Sequence, residues 1–340
     1  MDRRKFLKIL STVPVINSFT SALSKSKSGD QMRKLTQQPS YLKLHKSGEL
    51  KKRAQELWSI MEDCTICPRE CEANRLDGEE GFCGATSKLE IASFNPHFGE
   101  EDPLVDSGGS GTIFLTHCSL RCVFCINPDI SQGGQGRERS IAAMAKMMLK
   151  LQEIGCLNIN IVTPTHYLPH VIMALDKAAK QGLEIPLVYN TSGYEKYETI
   201  KKLDGIVDIY LPDFKYSEGR MAKKYSSGAE KYPKFAKKAV LEMNRQVGVA
   251  KPNQHGIMEQ GLMIRHLVMP NNVSGTRMVL KWISENLPSE TYLNIMSQYR
   301  PMYKAHNYPD IDRRLARKEY KNAVDWAREF GLTNLEIQGY

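Results

Sequence analysis

The chain has 340 residues, 41% of them apolar and 8% aromatic, enough for one large buried core with a smaller appendage and too apolar for a disordered protein. Its net charge of +9 is carried by the first 53 residues, where 13 Lys/Arg face three acids, whereas the remaining 287 residues sum to −1. A neutral body of this kind excludes a polyanion groove, and with it nucleic acid as a partner.

Residues 1–28 begin MDRRKFLKIL, with Arg3 and Arg4 ahead of Phe6, Leu7 and Lys8 and a mildly apolar run that ends in small residues. They fit either a twin-arginine export signal or a basic extension. No stretch of the chain approaches the ~20 apolar residues needed to span a bilayer, so no membrane span is expected. Residues 29–61 read as a Ser-, Lys- and Gln-rich linker followed by a short helix over 50–61.

Residues 62–104 hold Cys64, Cys67, Cys71 and Cys83, spaced C-x2-C-x3-C-x11-C among Gly and Pro residues that suggest loops built around a ligand. Four thiolates suffice either to close a tetrahedral zinc site or to saturate an iron-sulfur cluster. Cysteines clustered this closely in a chain of enzyme size favour metal ligation over disulfides. Cys156 stands apart in an apolar stretch and reads as a small core residue.

From residue 105 to 340 short β-rich runs at 112–116, 158–163, 186–190, 207–211, 262–269 and 292–296 alternate with helical patterns. The clearest helical face is Ile141, Met144, Ala145, Met148 and Leu151, closed by Gly155. Alternation of this kind predicts parallel βα units, and six of them favour a partial (β/α)6 barrel over an open doubly wound sheet. Polar groups follow each strand, where such barrels gather their functional side chains: Thr116 with His117, Thr163, Asn190 to Ser192, Asp213 with Lys215, Pro270 with Asn271, and Gln298.

The first of these strands runs directly into Cys118, Cys122 and Cys125, spaced C-x3-C-x2-C. A cubane cluster normally takes four thiolates. Three in one loop would leave one iron with an open position, which is what separates a reactive metal site from a structural one. A zinc loop using His117, or a redox cysteine cluster, is the competing reading. Asp213 and Lys215 share one face of an extended segment, as a ligand site or as a strand-end ion pair. Thr191 or Ser192 would serve either a ligand or the N-cap of a helix. Arg265 and His266, adjacent on a strand, must face opposite sides.

The segment GSGTIFLTHCSLRCVFCINPD resembles the cluster loop of glycyl-radical-enzyme activating enzymes, with a Gly-rich lead, an apolar strand, the C-x3-C-x2-C loop and a following Asn-Pro at Asn127 and Pro128. With PHFGEEDPLV, NIVTPTHYLP, VYNTSGYE, VDIYLPDFKY, IRHLVMPN and MSQYRP, the chain is similar from about residue 64 onward to the pyruvate formate-lyase activating-enzyme-like branch of the radical S-adenosylmethionine (radical SAM) superfamily. The resemblance implies a radical-SAM barrel with an N-terminal cysteine-rich metal-binding module. It implies a 4Fe-4S cluster on Cys118, Cys122 and Cys125, an S-adenosylmethionine cosubstrate, and abstraction of a hydrogen atom. In glycyl-radical-enzyme activation the target is a glycine of a partner protein, while the auxiliary cysteines and the altered second-strand motif leave a peptide or a small metabolite open.

The resemblance further implies that Asn190, Ser192, Asp213, Lys215 and Arg265 line the cosubstrate site, with Arg265 rather than His266 turned inward to clamp a carboxylate. A low-potential electron donor such as flavodoxin or ferredoxin would be a partner. The cosubstrate and such donors are cytosolic, so cytoplasmic function is expected, with export by the twin-arginine route as the alternative. Where these enzymes carry a Gly-Gly-Glu motif after the second strand, this chain has Thr163, Pro164, Thr165 and His166, so hydroxyls, carbonyls or the imidazole would have to substitute. A non-catalytic iron-sulfur electron-transfer or sensing protein is the functional alternative, although such a carrier would be better served by four cysteines.

Overall fold

The computed structural model describes residues 35–337; residues 1–28 with their signal or basic extension, and the start of the linker, lie outside the described residues. The chain enters through helices α1 (Tyr41–Ser47) and α2 (Glu49–Ser59), separated by Gly48 at φ +77°. The first of these falls where a linker was expected. Tyr41 is fully buried, and its hydroxyl donates to the Ile185 carbonyl at 2.9 Å, which docks the segment on the body. In α2, Leu50, Ala54 and Leu57 recur at helical spacing and are all buried.

Among the described residues there are nine strands: β1 (Glu90–His97), β2 (Ser110–Leu115), β3 (Arg137–Glu138), β4 (Ile159–Val162), β5 (Leu187–Thr191), β6 (Ile209–Pro212), β7 (Gly261–Leu267), β8 (Tyr292–Met296) and β9 (Leu335–Ile337). They form one sheet in the order β3-β1-β2-β4-β5-β6-β7-β8-β9. From β2 to β9 every pairing is parallel; β1 pairs antiparallel with β2 and with β3. The six predicted runs are β2 and β4 to β8. Helices α3 (Ile141–Glu153), α4 (Leu168–Ala179), α5 (Tyr197–Lys201), α6 (Gly219–Tyr225), α7 (Tyr232–Val247), α8 (Thr276–Asn286) and α9 (Arg317–Glu329) fill the crossovers.

Three strands were not expected, among them the two-residue, exposed β3. β1 falls inside the stretch read as loops, because Ile91 alone of its residues is buried and Pro96 interrupts it, so no alternation marks it. β9 is three residues long. The cysteine-rich stretch therefore hands over to the sheet at Glu90.

Period-2 geometry decides what faces the interior. On β6, Ile209 and Leu211 join Val188, Met263 and Leu104 in an inner apolar cluster, whereas Tyr210 belongs to the outer core beneath the helices. On β7, Met263 is inward and Leu262 and Ile264 outward. Continuing the same alternation carries Asp213, Lys215 and Arg265 to the inner face.

Candidate functional site

The C-terminal ends of the parallel strands surround a cavity of about 290 Å³. Cys118, Cys122 and Cys125 line one side, and Thr163, Asn190, Thr191, Ser192, Asp213, Lys215 and Arg265 line the rest. The cysteine loop is fixed by backbone bonds to distant segments. Val123 N donates to the Tyr225 carbonyl and Lys304 N to the Val123 carbonyl, both at 2.9 Å, and the Gln132 side-chain amide donates to Cys122 O at 3.0 Å. His117 (φ +68°) and Arg121 (φ +52°) adopt left-handed backbone at its turns.

The sulfurs have hydrogen-bond partners of their own. Ser226 Oγ donates to Cys122 Sγ at 3.2 Å, and Asn127 N donates to Cys125 Sγ at 3.4 Å. Burial pushes the Cys122 thiol up to about 12 and also raises Cys118, with the Lys215 charge opposing in both cases. Metal-free, these groups are thiols. Among the described residues no three His, Cys, Asp or Glu side chains close on one point fit for a single ion. A cubane takes one thiolate per iron and spreads its ligands more widely, so three thiols on one wall of a cavity, Cys122 buried and Cys118 and Cys125 half-buried, with a lysine charge opposite, suit a cluster better than a zinc loop.

The opposite wall is an ion network. Lys215 Nζ lies 2.7 Å from Asp213 Oδ2, and Arg265 Nε lies 3.0 Å from Asp213 Oδ1. Burial would raise the Asp213 carboxyl, but the Arg265 and Lys215 charges outweigh it and hold the group below its ordinary range. Arg265 also donates to Asn190 Oδ1 at 2.5 Å and reaches Glu100 Oε2 at 3.4 Å. The expected carboxylate clamp is thus already engaged by three residues of the chain. His266 points outward, bonded to the Phe214 carbonyl at 2.6 Å and to Thr276 Oγ1 at 3.0 Å.

Neither Thr191 nor Ser192 caps a helix: α5 starts at Tyr197 after Lys196. Thr191 Oγ1 donates to the buried carboxylate of Glu195, as does Thr165 Oγ1 at 2.6 Å. The Tyr232 hydroxyl accepts from Lys215 N and donates to the Ser192 or Asp213 carbonyl, all within 3.0 Å, which ties three lining residues together.

The stretch that stands where a Gly-Gly-Glu motif was expected is mostly unavailable. His166 Nε2 bonds the Thr116 carbonyl at 2.7 Å, and burial drives its pKa down to about 3, so it is neutral; its Nδ1 is buried without a partner, and the residue does not line the cavity. Thr165 serves Glu195. Only Thr163, at φ +57°, lines the cavity. Asn271 also falls away from it, its backbone N donating to Glu319 and its amide to the Asp310 carbonyl.

Cys64, Cys67, Cys71 and Cys83 lie together in a module that packs beside α2 and α4. A Cβ on Gly81 would sit 3.4 Å from Cys71 Sγ and 3.5 Å from Cys83 Sγ. Through space, Cys83 feels the charges of Cys64 and Cys71, and Cys67 those of Cys83 and Cys64. Against them lies Arg75, fully buried, with Nη1 3.7 Å from Cys64 Sγ and Nη2 2.7 Å from the Thr86 carbonyl, while its Nε has no partner. Among the described residues no carboxylate pairs with it. A buried guanidinium keeps its proton and needs a counter-charge, and thiolates holding a metal would supply one. All eight cysteines are free, and buried Cys156 points its sulfur at the Gly108 carbonyl.

Sequence reasoning passed over Glu100, Glu195, Tyr232 and the two arginines set among the N-terminal cysteines. A signal existed for the arginines alone: Arg69 lies between Cys67 and Cys71, and Arg75 four residues beyond Cys71.

Residues 112–238 match the family model of the Radical SAM superfamily. An uncharacterized protein of Methanocaldococcus jannaschii is 34% identical over 283 residues, which cover 81% of this chain and 77% of that protein. Among solved structures, the crystal structure of HydG, a maturase of the FeFe-hydrogenase, is similar with a TM-score of 0.45 and 14% identity over 93% of this chain. The chain spans 65% of HydG's length, just under two thirds.

Proposed function

The chain belongs to the radical SAM superfamily, and on that premise we propose that it is a radical SAM enzyme whose cluster sits on Cys118, Cys122 and Cys125. One observation carries the proposal: three thiols from a single loop, Cys122 buried and the other two half-buried, share one cavity at the strand ends with Asp213, Lys215 and Asn190. When bound, the cluster supplies the electron that cleaves the sulfonium of S-adenosylmethionine and yields a 5′-deoxyadenosyl radical.

The residues around it have defined tasks. Lys215 places a positive charge beside Cys122 and offsets the net negative charge of thiolate ligation. Asn190 and Ser192 offer neutral donors suited to hydroxyls and carboxylates. Asp213 holds Lys215 and Arg265 in place and leaves each with further donors for an anionic group. The mostly apolar remainder of the wall, including Leu115, Leu120, Leu267 and Met296, keeps water away from a reactive radical.

For the target, the resemblance of the cluster loop supports hydrogen abstraction from a glycine of a partner protein. We assign to Cys64, Cys67, Cys71 and Cys83 a second metal centre, zinc or an auxiliary cluster, on the strength of the uncompensated Arg75. A low-potential flavodoxin or ferredoxin in the cytoplasm fits the chemistry as electron source. Among the described residues no helix is long and apolar enough to cross a membrane.

Anaerobic reconstitution, reduction with dithionite and addition of S-adenosylmethionine test the reading. Release of 5′-deoxyadenosine supports it. A cluster-loaded chain that released none would be an iron-sulfur carrier or sensor instead.

A further inference from the structure

Arg69 makes an unusual set of contacts for a residue flanked by two cysteines of the N-terminal module. Its Nε donates to the Ser119 carbonyl at 2.8 Å and its Nη2 to the Leu120 carbonyl at 3.4 Å, both inside the loop from Cys118 to Cys122. The same guanidinium donates to the Ser226 carbonyl at 3.1 Å and the Ser227 carbonyl at 2.8 Å. Ser226 is the residue whose hydroxyl donates to Cys122 Sγ. One side chain therefore staples together the two loops that surround the Cys122 sulfur.

The guanidinium is held flat for this task. Its carbon lies 4.0 Å from the centre of the Phe82 ring and 5.3 Å from that of Tyr194, so stacking restrains it on both rings while its edge donors reach the carbonyls. Among the described residues it has no carboxylate partner, and all four hydrogen-bonded groups are backbone oxygens. The module touches the cluster loop at two further points: Arg121 Nη1 donates to the Phe82 carbonyl at 3.3 Å, and a Cβ on Gly84 would meet His117 Nδ1 at 2.8 Å.

We infer that Arg69 is a positioning residue through which the four-cysteine module sets the shape of the Cys118–Cys125 loop, so that filling the first metal site favours filling the second. The physical link is short. Metal held by Cys67 and Cys71 freezes the turn that carries Arg69, whose Glu70 N already bonds the Cys67 carbonyl at 3.1 Å. A fixed Arg69 then holds the carbonyls of Ser119 and Leu120, and with them the spacing of Cys118 and Cys122. Coupling of this kind is reciprocal. The inference rests on the cluster assignment made above, but the loop-ordering role of Arg69 is readable without any cluster.

The test uses the full chain, metal-free and anaerobically reconstituted, with variants Arg69→Gln, Arg69→Lys, Cys67→Ala/Cys71→Ala and Cys118→Ala/Cys122→Ala/Cys125→Ala. Iron and acid-labile sulfide per chain, electron paramagnetic resonance of the reduced protein, and amide hydrogen exchange over residues 117–125 are measured. Arg69→Gln is expected to retain the metal content of the triple cysteine variant and to lose most of the remainder. Its exchange over 117–125 should quicken about tenfold, the loss of roughly one to two charge-assisted hydrogen bonds. Arg69→Lys, which keeps the charge but not the fork, should fall between, and Cys67→Ala/Cys71→Ala should lower iron at the second site as well as the metal, zinc or iron, at the first.

Parent-like iron and parent-like exchange in Arg69→Gln would overturn the inference. If Arg69→Gln fails the far-ultraviolet circular dichroism check for folding, Arg69→Lys decides, and parent-like exchange over 117–125 again overturns it. Equal iron in the parent and the triple cysteine variant would refute the cluster assignment instead, with the exchange of metal-free protein still judging Arg69.

Discussion

Lys215 Nζ stands 2.7 Å from Asp213 Oδ2, two residues along the same inward face, and the other oxygen of that carboxylate accepts from Arg265. One half-buried anion thus faces two cations beside the cysteine loop. Asp213→Asn leaves Lys215 without its anion and Arg265 with Glu100 alone, and is expected to cost about 3 kcal/mol of stability, read by chemical denaturation. Lys215→Met removes one partner of the same buried pair and leaves Asp213 with Arg265, so the loss should be smaller, while S-adenosylmethionine binding to the reconstituted protein weakens about tenfold or more by titration. Equal binding in parent and Lys215→Met would remove the lysine from the cosubstrate site.

Cys122→Ala deletes the thiol nearest Lys215 and Ser226. It should lower the iron count by the four of one cubane and abolish 5′-deoxyadenosine. Cys67→Ala should still yield the product, at reduced cluster occupancy. Metal analysis of both variants separates the two centres.

Gly193 sits at φ +76°, and a Cβ there would come within 2.1 Å of the Asp213 carbonyl and 2.9 Å of the Tyr232 hydroxyl. Gly193→Ala combines a left-handed backbone with a clash against main chain. A loss of about 2–4 kcal/mol is expected, since the atoms it strikes cannot swing aside. The same change displaces the Tyr232 hydroxyl from Ser192 and Lys215, so affinity for S-adenosylmethionine should drop in parallel with melting temperature.

Glu195 is buried, and desolvation pushes its carboxyl up from 4.5 to about 7 despite donors from Thr165 and Thr191. A raised value in the folded state means that folding favours the protonated form. Its stabilising contribution is complete below the ordinary carboxylate range and is lost as pH rises to about 7, at up to about 1.4 kcal/mol per pH unit. Glu195→Gln mimics the protonated acid and carries no such loss. Its melting temperature relative to the parent should therefore rise between pH 5 and pH 8; a constant offset across that range would show that Glu195 is not the titrating group.

With a metal assigned to the four-cysteine module, the buried Arg75 becomes its counter-charge. Arg75→Met should leave a metal-thiolate site without its cation and speed metal loss to a chelator, followed by absorbance of the chelate. In metal-free protein the same substitution removes an unpaired buried charge and should be close to neutral or stabilising. An opposite pattern, destabilisation without metal and unchanged release with it, would detach Arg75 from the cysteines.

Much of the fold was legible because its signals are local. Six β-rich runs separated by helical periodicity gave six of the parallel strands. Alternation put Asp213 and Lys215 on one face and Arg265 opposite His266, while the choice of Arg265 as the inward residue came from the family resemblance. The strands that escaped notice, β1, β3 and β9, lack that pattern: the first is mostly exposed, the other two too short. His166 looked available from sequence because nothing in its neighbours reveals that it bonds the Thr116 carbonyl, 50 positions earlier. Arg265 looked like a free clamp because its partner Glu100 lies 165 positions away.

The sequence by itself determined the two cysteine clusters, since ligands for one centre can be packed into one loop and their spacing survives any fold around them. It also determined the repeating βα grammar, since burial on one face imposes a period that a short window reveals. Only the tertiary structure decided which polar groups remain available in the cavity, that Arg75 is buried without an acid, and that Arg69 binds the loop of the other cluster. Those outcomes depend on pairing across the fold, where desolvation drives most buried donors and charges to a partner and sequence distance says nothing about which one it is.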